Sequence, residues 1–296
     1  MFRLRVTTTA LVLVLTAATA YAQADISGVW QSRWAPAPAN NYDEDQPERG
    51  PGPELRDYLG LPISDAARQF ADSWNPSRIT LPEEQCRVHV SPYIYRGPLN
   101  VRSWEERDPK TQALISIQHY ISTYEQTRTI WMDGRAHPGP NAAHTWMGFS
   151  TGHYEGDMLV VETTHLKQGW IRRNGVPMSD QAHMTEYFVR RGELLTHVMM
   201  LVDPVYLTEP LVKSEEFMRA PRELPQRNWL WVCEPVVEIP DRARGDVPAY
   251  LPGEHPFMNE FGKKHNLPEI AVRGGAATMY PEFQRTIREA QPNASR

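Results

Sequence analysis

The feature that most constrains this chain is a rhythm of short runs, rich in aromatic and β-branched residues, across residues 98–218. The runs fall at 98–105, 112–119, 126–133, 145–153, 157–165, 183–190, 194–202 and 209–218, each bounded by turn-forming residues. Their connections are uneven. "GHYEGDM" holds a tight Glu155-Gly156 turn and "VRRGELL" a tight Arg191-Gly192 turn, whereas 134–144, 166–182 and 203–208 are long. In an up-and-down meander, successive connections alternate between the two ends of the sheet. The tight turns are therefore expected at one end and the long loops at the other. This predicts a mainly β fold, an antiparallel up-and-down barrel shaped as a cup, closed below and open above.

Flanking segments complete the organisation. "DISGVWQSRW" (25–34) reads as a first strand and "NWLWVCEPVVEI" (228–239) as a late extended piece. A Pro/Asn/Asp/Glu-rich stretch follows the first strand and leads to "SDAARQFADSWNP". There Ser64 suits a helix N-cap, Ala67, Phe70 and Trp74 form an apolar stripe, and Asn75-Pro76 ends the helix. The Pro/Gly-rich tail carries one amphipathic helix, "PEFQRTIREA" (281–290). No repeat or domain linker interrupts the pattern. The expected layout is a signal segment over 1–22 and one β-rich domain over 23–296. Within that domain 35–87 is a helical and loop capping insertion, 88–220 the strand meander and 221–296 an irregular wrapped tail.

Residues 1–22 have the form of a secretory signal: Arg3 and Arg5, an apolar core from Ala10 to Ala18, and small residues at Ala20 and Ala22. A periplasmic or secreted protein is expected after its removal. In such a compartment Cys86 and Cys233, the only cysteines, read as one disulfide. No other run approaches the ~20 apolar residues that span a bilayer, so no integral membrane segment is expected. The net charge of −5, with no basic run, argues against a nucleic-acid partner.

The chemistry-bearing residues gather, on this topology, at the open rim. With a two-residue turn, Trp146 falls opposite His165 and Phe149 opposite Glu162, which brings His144 beside His165. His183 begins the strand after the 166–182 loop, and Asp133, His137, Arg172, Arg173, Asp180 and Asp203 are expected at the same rim. A histidine near a carboxylate moves protons at neutral pH. The expected catalytic set is His144 or His165 as base or acid, Glu162 as partner, and Arg128 or Arg172 stabilising developing negative charge. His137, mid-loop, reads as structural or solvent-facing, so His144 is the stronger bet. Both parities of the Glu162 strand carry apolar residues, which leaves its inward face open.

No H-E-x-x-H or H-x-H spacing occurs, so no metal is assigned; a metal-dependent hydrolase built on His137, His144, His165 and His183 stands as a third reading. G-x-S-x-G, G-x-G-x-x-G and Walker-type loops are absent, which gives no nucleophile elbow and no cofactor. The chain has enough aromatic residues to line a cavity as well as pack a core. Trp131, Trp146, Trp170, Tyr187 and His183 are the expected ligand-binding residues, suited to a small hydrophobic molecule. "HLKQGWIRRNGVPMSD" (165–180) reads either as a lid over that cavity or as surface decoration.

Two resemblances bear on this. Gly28-Val29-Trp30 resembles the G-x-W start of lipocalins and related calycin barrels. That likeness implies a Trp packed at the closed barrel end beneath an Arg of the last strand, the part Arg219 would play. The T-D-Y motif of those proteins is missing, and the helical insertion is foreign to them. "TRTIWMDGRAHP", "HTWMGFSTGHYEGDMLVVETTHL" and "RGGAATMYPEF" are similar to a large family of secreted bacterial proteins with no established reaction. This implies export and a shared β-rich fold, and carries no catalytic residue. The function expected from all of this is a cofactor-independent lyase, hydratase or isomerase working by proton transfer on a small aromatic or terpenoid-like molecule. A non-catalytic protein that binds a hydrophobic ligand is the main alternative.

Overall fold

The computed structural model describes residues 25–32, 55–74, 88–95, 100–122, 125–172, 174–220, 251 and 259–290. The signal segment, Cys86 and Cys233 with their expected disulfide, Arg173 and the extended piece at 228–239 lie outside the described residues.

The strands are β1 (Gly28–Ser32), β2 (Asn100–Arg107), β3 (Leu114–Ile121), β4 (Gln126–Trp131), β5 (Phe149–Glu155), β6 (Met158–Thr164), β7 (Gly169–Trp170), β8 (Pro177–Met178), β9 (His183–Arg191), β10 (Leu194–Val202) and β11 (Leu211–Arg219). Nine of them form a closed barrel in the order β1-β11-β10-β9-β6-β5-β4-β3-β2, while β7 and β8 make a small hairpin in the 165–182 loop. Alternation drives this. In β10, Leu195, His197, Met199 and Leu201 face inward and are buried, and the residues between them are half-buried.

A ring of nine strands cannot alternate direction all the way round. The mismatch is taken up between β4 and β5, which pair in parallel through Ile130↔Ser150 and Trp131↔Thr151; every other pairing between barrel strands is antiparallel. The loop 132–148 therefore runs from the tight-turn end to the opposite end instead of staying at the rim. His137 anchors it to the outer wall through the hydroxyls of Thr151 and Thr164.

The two tight turns fall one residue later than expected, at Gly156-Asp157 and Gly192-Glu193, with positive φ at the glycine alone, as in a type II′ turn. The β5–β6 register moves accordingly. Phe149 pairs with Thr164 and Thr151 with Glu162, in place of the expected Trp146–His165 and Phe149–Glu162 pairs. The slip is even, so every side chain keeps its face.

Both ends are stopped. At the tight-turn end, buried Trp30 donates Nε1–H to the Ile26 carbonyl, and the Arg219 guanidinium lies 5.5 Å from its ring centre. At the other end, α1 (Asp65–Asp72) and α2 (Ser91–Ile94) are tied at their N-termini to the long loops, Ser64 N to the Tyr206 carbonyl and Ser91 N to the Trp146 carbonyl. Ser64 caps α1 by accepting from the Ala67 amide. Ala67, Ala71 and Trp74 are buried, whereas Phe70 of the expected stripe is exposed and tilts against Tyr206. In the tail, α3 (Glu260–Lys264), α4 (Glu269–Arg273), a 3-10 turn (Gly275–Met279) and α5 (Pro281–Ala290) follow. Among the described residues no helix is long and apolar enough to cross a membrane.

Candidate functional site

The alternation of the barrel wall separates the expected catalytic residues. On β6, Leu159, Val161 and Thr163 point inward and Glu162 is exposed on the outside. Arg128 on β4 points inward and is fully buried. Glu162 and Arg128 thus lie on opposite sides of the wall and cannot share a site.

The rim does assemble in part. Pro140, His144, Thr164, His165, Asp180, Gln181, Ala182 and His183 surround an open recess of about 470 Å³. The rings of His144 and His165 are 5.2 Å apart. Hydrogen bonding then assigns their nitrogens. His165 Nε2 bonds the Gly139 carbonyl, so that nitrogen donates; in the neutral ring Nδ1 accepts from Thr164 Oγ1–H. Thr164 Oγ1 in turn accepts from His137 Nδ1–H, and His137 Nε2 accepts from Thr151 Oγ1–H. Burial lowers the His137 pKa, which keeps it neutral in this chain of bonds. His165 and His137 are therefore fully engaged in holding the loop, and His165 does so at a positive φ of 57°. His144 differs. Its Nδ1–H donates to the Leu166 carbonyl, which leaves Nε2 as a lone pair.

The other expected residues sit elsewhere. Asp133 ends β4 at the tight-turn end, where it pairs with Arg135, itself stacked on Trp131 at 3.4 Å. Trp131 and Tyr187 are half-buried on outward-facing positions of their strands. Trp146 and Trp170 pack beside the core near the long loops, and Arg172 is half-buried in the 165–182 loop. Asp203 is buried and fully used, accepting from Ser179 N, Ser179 Oγ, Val205 N and Tyr206 N. Of the expected ligand-binding residues only His183 lines the recess. Among the described residues no group of three or more His, Cys, Asp or Glu side chains is arranged to hold a metal ion.

A second constellation lies inside the barrel. Ser103, His119 and Arg128 are register neighbours across β2, β3 and β4. Arg128 reaches across the interior to Glu186 of β9 and grips both carboxylate oxygens, with Nη2 to Oε1 at 2.8 Å. His197 of β10 bonds Glu186 Oε1 through Nε2 at 2.8 Å and stacks on Phe188 at 4.6 Å. Ser103 Oγ bonds His119 Nδ1 at 2.8 Å. Tyr95, just past α2, covers the group: its ring centre is 4.4 Å from that of His197, 6.0 Å from that of His119 and 5.6 Å from the Arg128 guanidinium. Glu186, His119, His197 and Arg128 are all essentially inaccessible to solvent.

Charge states follow from these contacts. Burial pushes the Glu186 carboxyl up, but Arg128 and His197 outweigh it and hold it at about 2, so it is ionised at neutral pH. Burial lowers the His197 pKa against the pull of Glu186, and burial with Arg128 holds His119 well below the usual histidine range. Both rings are neutral at pH 7. Since ionised Glu186 can only accept, His197 Nε2 carries the proton and Nδ1 is a lone pair with no hydrogen bond among the described residues. Burial raises the Tyr95 phenol far above its usual range, so it keeps its proton.

A buried ion pair alone is weak evidence of function, because well-packed apolar residues often stabilise as much. The atoms around this one carry more weight. Tyr95 Oη, His119 Nε2 and Arg128 Nε are buried without a hydrogen-bond partner among the described residues. Tyr95 feels the Arg128 charge, yet makes no hydrogen bond of ordinary geometry to it. The arrangement can orient an imidazole base, hold it neutral and present donors to a polar atom beside it. No family model, curated protein or solved structure matches the chain.

Proposed function

We propose that this chain is an exported, calycin-like barrel whose interior takes a small hydrophobic, aromatic or terpenoid-like molecule. It moves a proton on that molecule as a cofactor-independent lyase, hydratase or isomerase. The observation that carries the reading is the His197–Glu186 pair: a neutral imidazole, fixed by a buried carboxylate through Nε2, with its other nitrogen unoccupied. Burial of Glu186 removes competing water, and Arg128 keeps that carboxylate ionised, so His197 stays in the tautomer that accepts a proton at Nδ1. Tyr95 supplies a phenolic donor and Phe188 an aromatic wall. The Trp30–Arg219 contact at the stopped end supports the calycin likeness.

A second reading places the chemistry in the rim recess, favoured by His144, whose Nε2 is a lone pair there. A screen of small aromatic and terpenoid compounds in D₂O, read by proton NMR, separates the readings. Conversion or deuterium uptake that disappears in His197→Gln and persists in His144→Gln is the expected result. The reverse pattern moves the site to the rim. Ligand binding without turnover in any variant leaves the non-catalytic binding protein.

A further inference from the structure

We infer that the ligand of the interior site is a neutral carbonyl compound, whose oxygen is received by Tyr95 Oη–H and Arg128 Nε–H and whose adjacent carbon faces His197. This rests on the interior being the functional site, and adds the class of molecule it takes. The argument is a balance of charge and hydrogen bonds. Arg128 and Glu186 neutralise each other through paired contacts, the His197 ring hydrogen-bonds Glu186, and the His119 ring hydrogen-bonds the uncharged Ser103 hydroxyl. At the interior-facing positions nearer the loop end, Lys213 and Glu215 again bring one charge of each sign. A carboxylate or ammonium ligand would therefore bring an uncompensated charge into a buried, balanced site. A hydrocarbon would leave Tyr95 Oη and Arg128 Nε as orphaned donors. A carbonyl oxygen is uncharged and has two lone pairs for those two donors. Phe188, stacked on His197, and Tyr95, tilted against it, offer aromatic surface to an aromatic or unsaturated body. Lys213 and Glu215 are half-buried where Phe217 of the same strand face is sealed, and Lys213 Nζ bonds the Tyr95 carbonyl, so the approach lies beside Tyr95.

The step this geometry serves is removal of a proton from the carbon next to the carbonyl. His197 Nδ1 takes the proton, the C–H electron pair becomes the new C=C bond, and the carbonyl π pair moves to oxygen as an enolate. Tyr95 and Arg128 hydrogen-bond that oxygen. Return of the proton from His197 to the same carbon exchanges it, and return to a conjugated carbon shifts a double bond. No oxidant, reductant or second substrate enters the balance.

The test uses 2-tetralone, its carbonyl-free analogue tetralin and the anion 2-naphthoate, with binding measured by calorimetry and exchange by NMR in D₂O. 2-Tetralone is expected to bind at least tenfold more tightly than either of the others and to take up deuterium beside its carbonyl faster than in buffer. Tyr95→Phe should erase the preference over tetralin while leaving tetralin binding unchanged. His197→Gln should abolish the accelerated exchange with 2-tetralone still bound, and circular dichroism establishes that both variants fold. Equal binding of 2-tetralone and tetralin overturns the carbonyl assignment but leaves the interior site standing. Tighter binding of 2-naphthoate overturns the charge argument. Tight 2-tetralone binding without accelerated exchange overturns the proton step. Binding that His144→Gln removes and Tyr95→Phe does not overturns the interior site itself, as does failure of all three compounds to bind.

Discussion

Glu186 is ionised in a place where burial alone would neutralise it, and the two histidines beside it are neutral where a free histidine would be half-charged near pH 6.5. Both facts couple folding to acid, and the sign is the same. His119 and His197 titrate below 6.5 in the fold, so under that pH the unfolded chain binds protons that the folded chain refuses, and stability falls. Glu186, held at about 2 against its usual 4.5, adds a second loss between those values. Unfolding free energies from urea titrations should be nearly level from pH 7.5 to 7 and then fall as pH drops below 6.5, steepening towards about 1.4 kcal/mol per pH unit for each histidine that only the unfolded chain protonates. His197→Gln should make that slope shallower by one such share. An unchanged slope would mean that His197 is protonated in the folded barrel.

At the scale of the element, β5 begins where Gly148 allows it to. Gly148 has φ of +67°, and a Cβ there would lie 2.5 Å from the Thr164 carbonyl oxygen. Gly134 has φ of +76° with open space around it. Gly134→Ala should cost about 1 kcal/mol from backbone strain, whereas Gly148→Ala should cost several kcal/mol, since steric overlap adds to strain. Equal thermal midpoints for the two would refute this account of where the strand starts. Most elements were legible from sequence: alternation and turn residues place β2 to β6 and β9 to β11 within a few residues, and Ser64 caps α1 as its side chain suggests. The parallel pairing of β4 with β5 was not, because it follows from the number of strands in the ring, which no local pattern contains. The interior cluster left a subtler trace. Glu186 stands on the face of Met184 and Phe188, His197 on that of Leu195 and Met199, and His119 on that of Ile117 and Ile121. A polar residue on a buried parity is the signal, and β10 hides it by carrying apolar residues on both faces. The loop histidines drew attention instead, because spacing shows them clearly while their hydrogen bonds to threonine hydroxyls and carbonyls are invisible in sequence.

For the whole molecule, Arg56 joins the insertion to the tail. It is buried at a positive φ of 64°, lies 3.4 Å from Asp72 in the last turn of α1, and bonds Asn259 at 3.1 Å and Glu269 at 2.8 Å. Arg56→Met keeps most of the volume and removes the charge, so it should cost about 3 kcal/mol by leaving the Asp72 carboxylate short of its buried partner. Hydrogen exchange should then quicken across α3 and α4 while β9 and β10 keep their protection. Uniform loss of protection would show that tail and barrel unfold as one unit. The barrel closure has a consequence in time. β1 is the earliest strand among the described residues, yet its two neighbours are β2 and β11, the latter close to two hundred residues further on. Joining such distant partners carries a large loop-closure cost, so it comes late. Until β11 exists the ring has two bare edges, and Trp30 has no Arg219 above it. β1 can lie along β2 early, but its other edge stays bare until β11 arrives, and during that wait the chain is most open to pairing with another copy of itself.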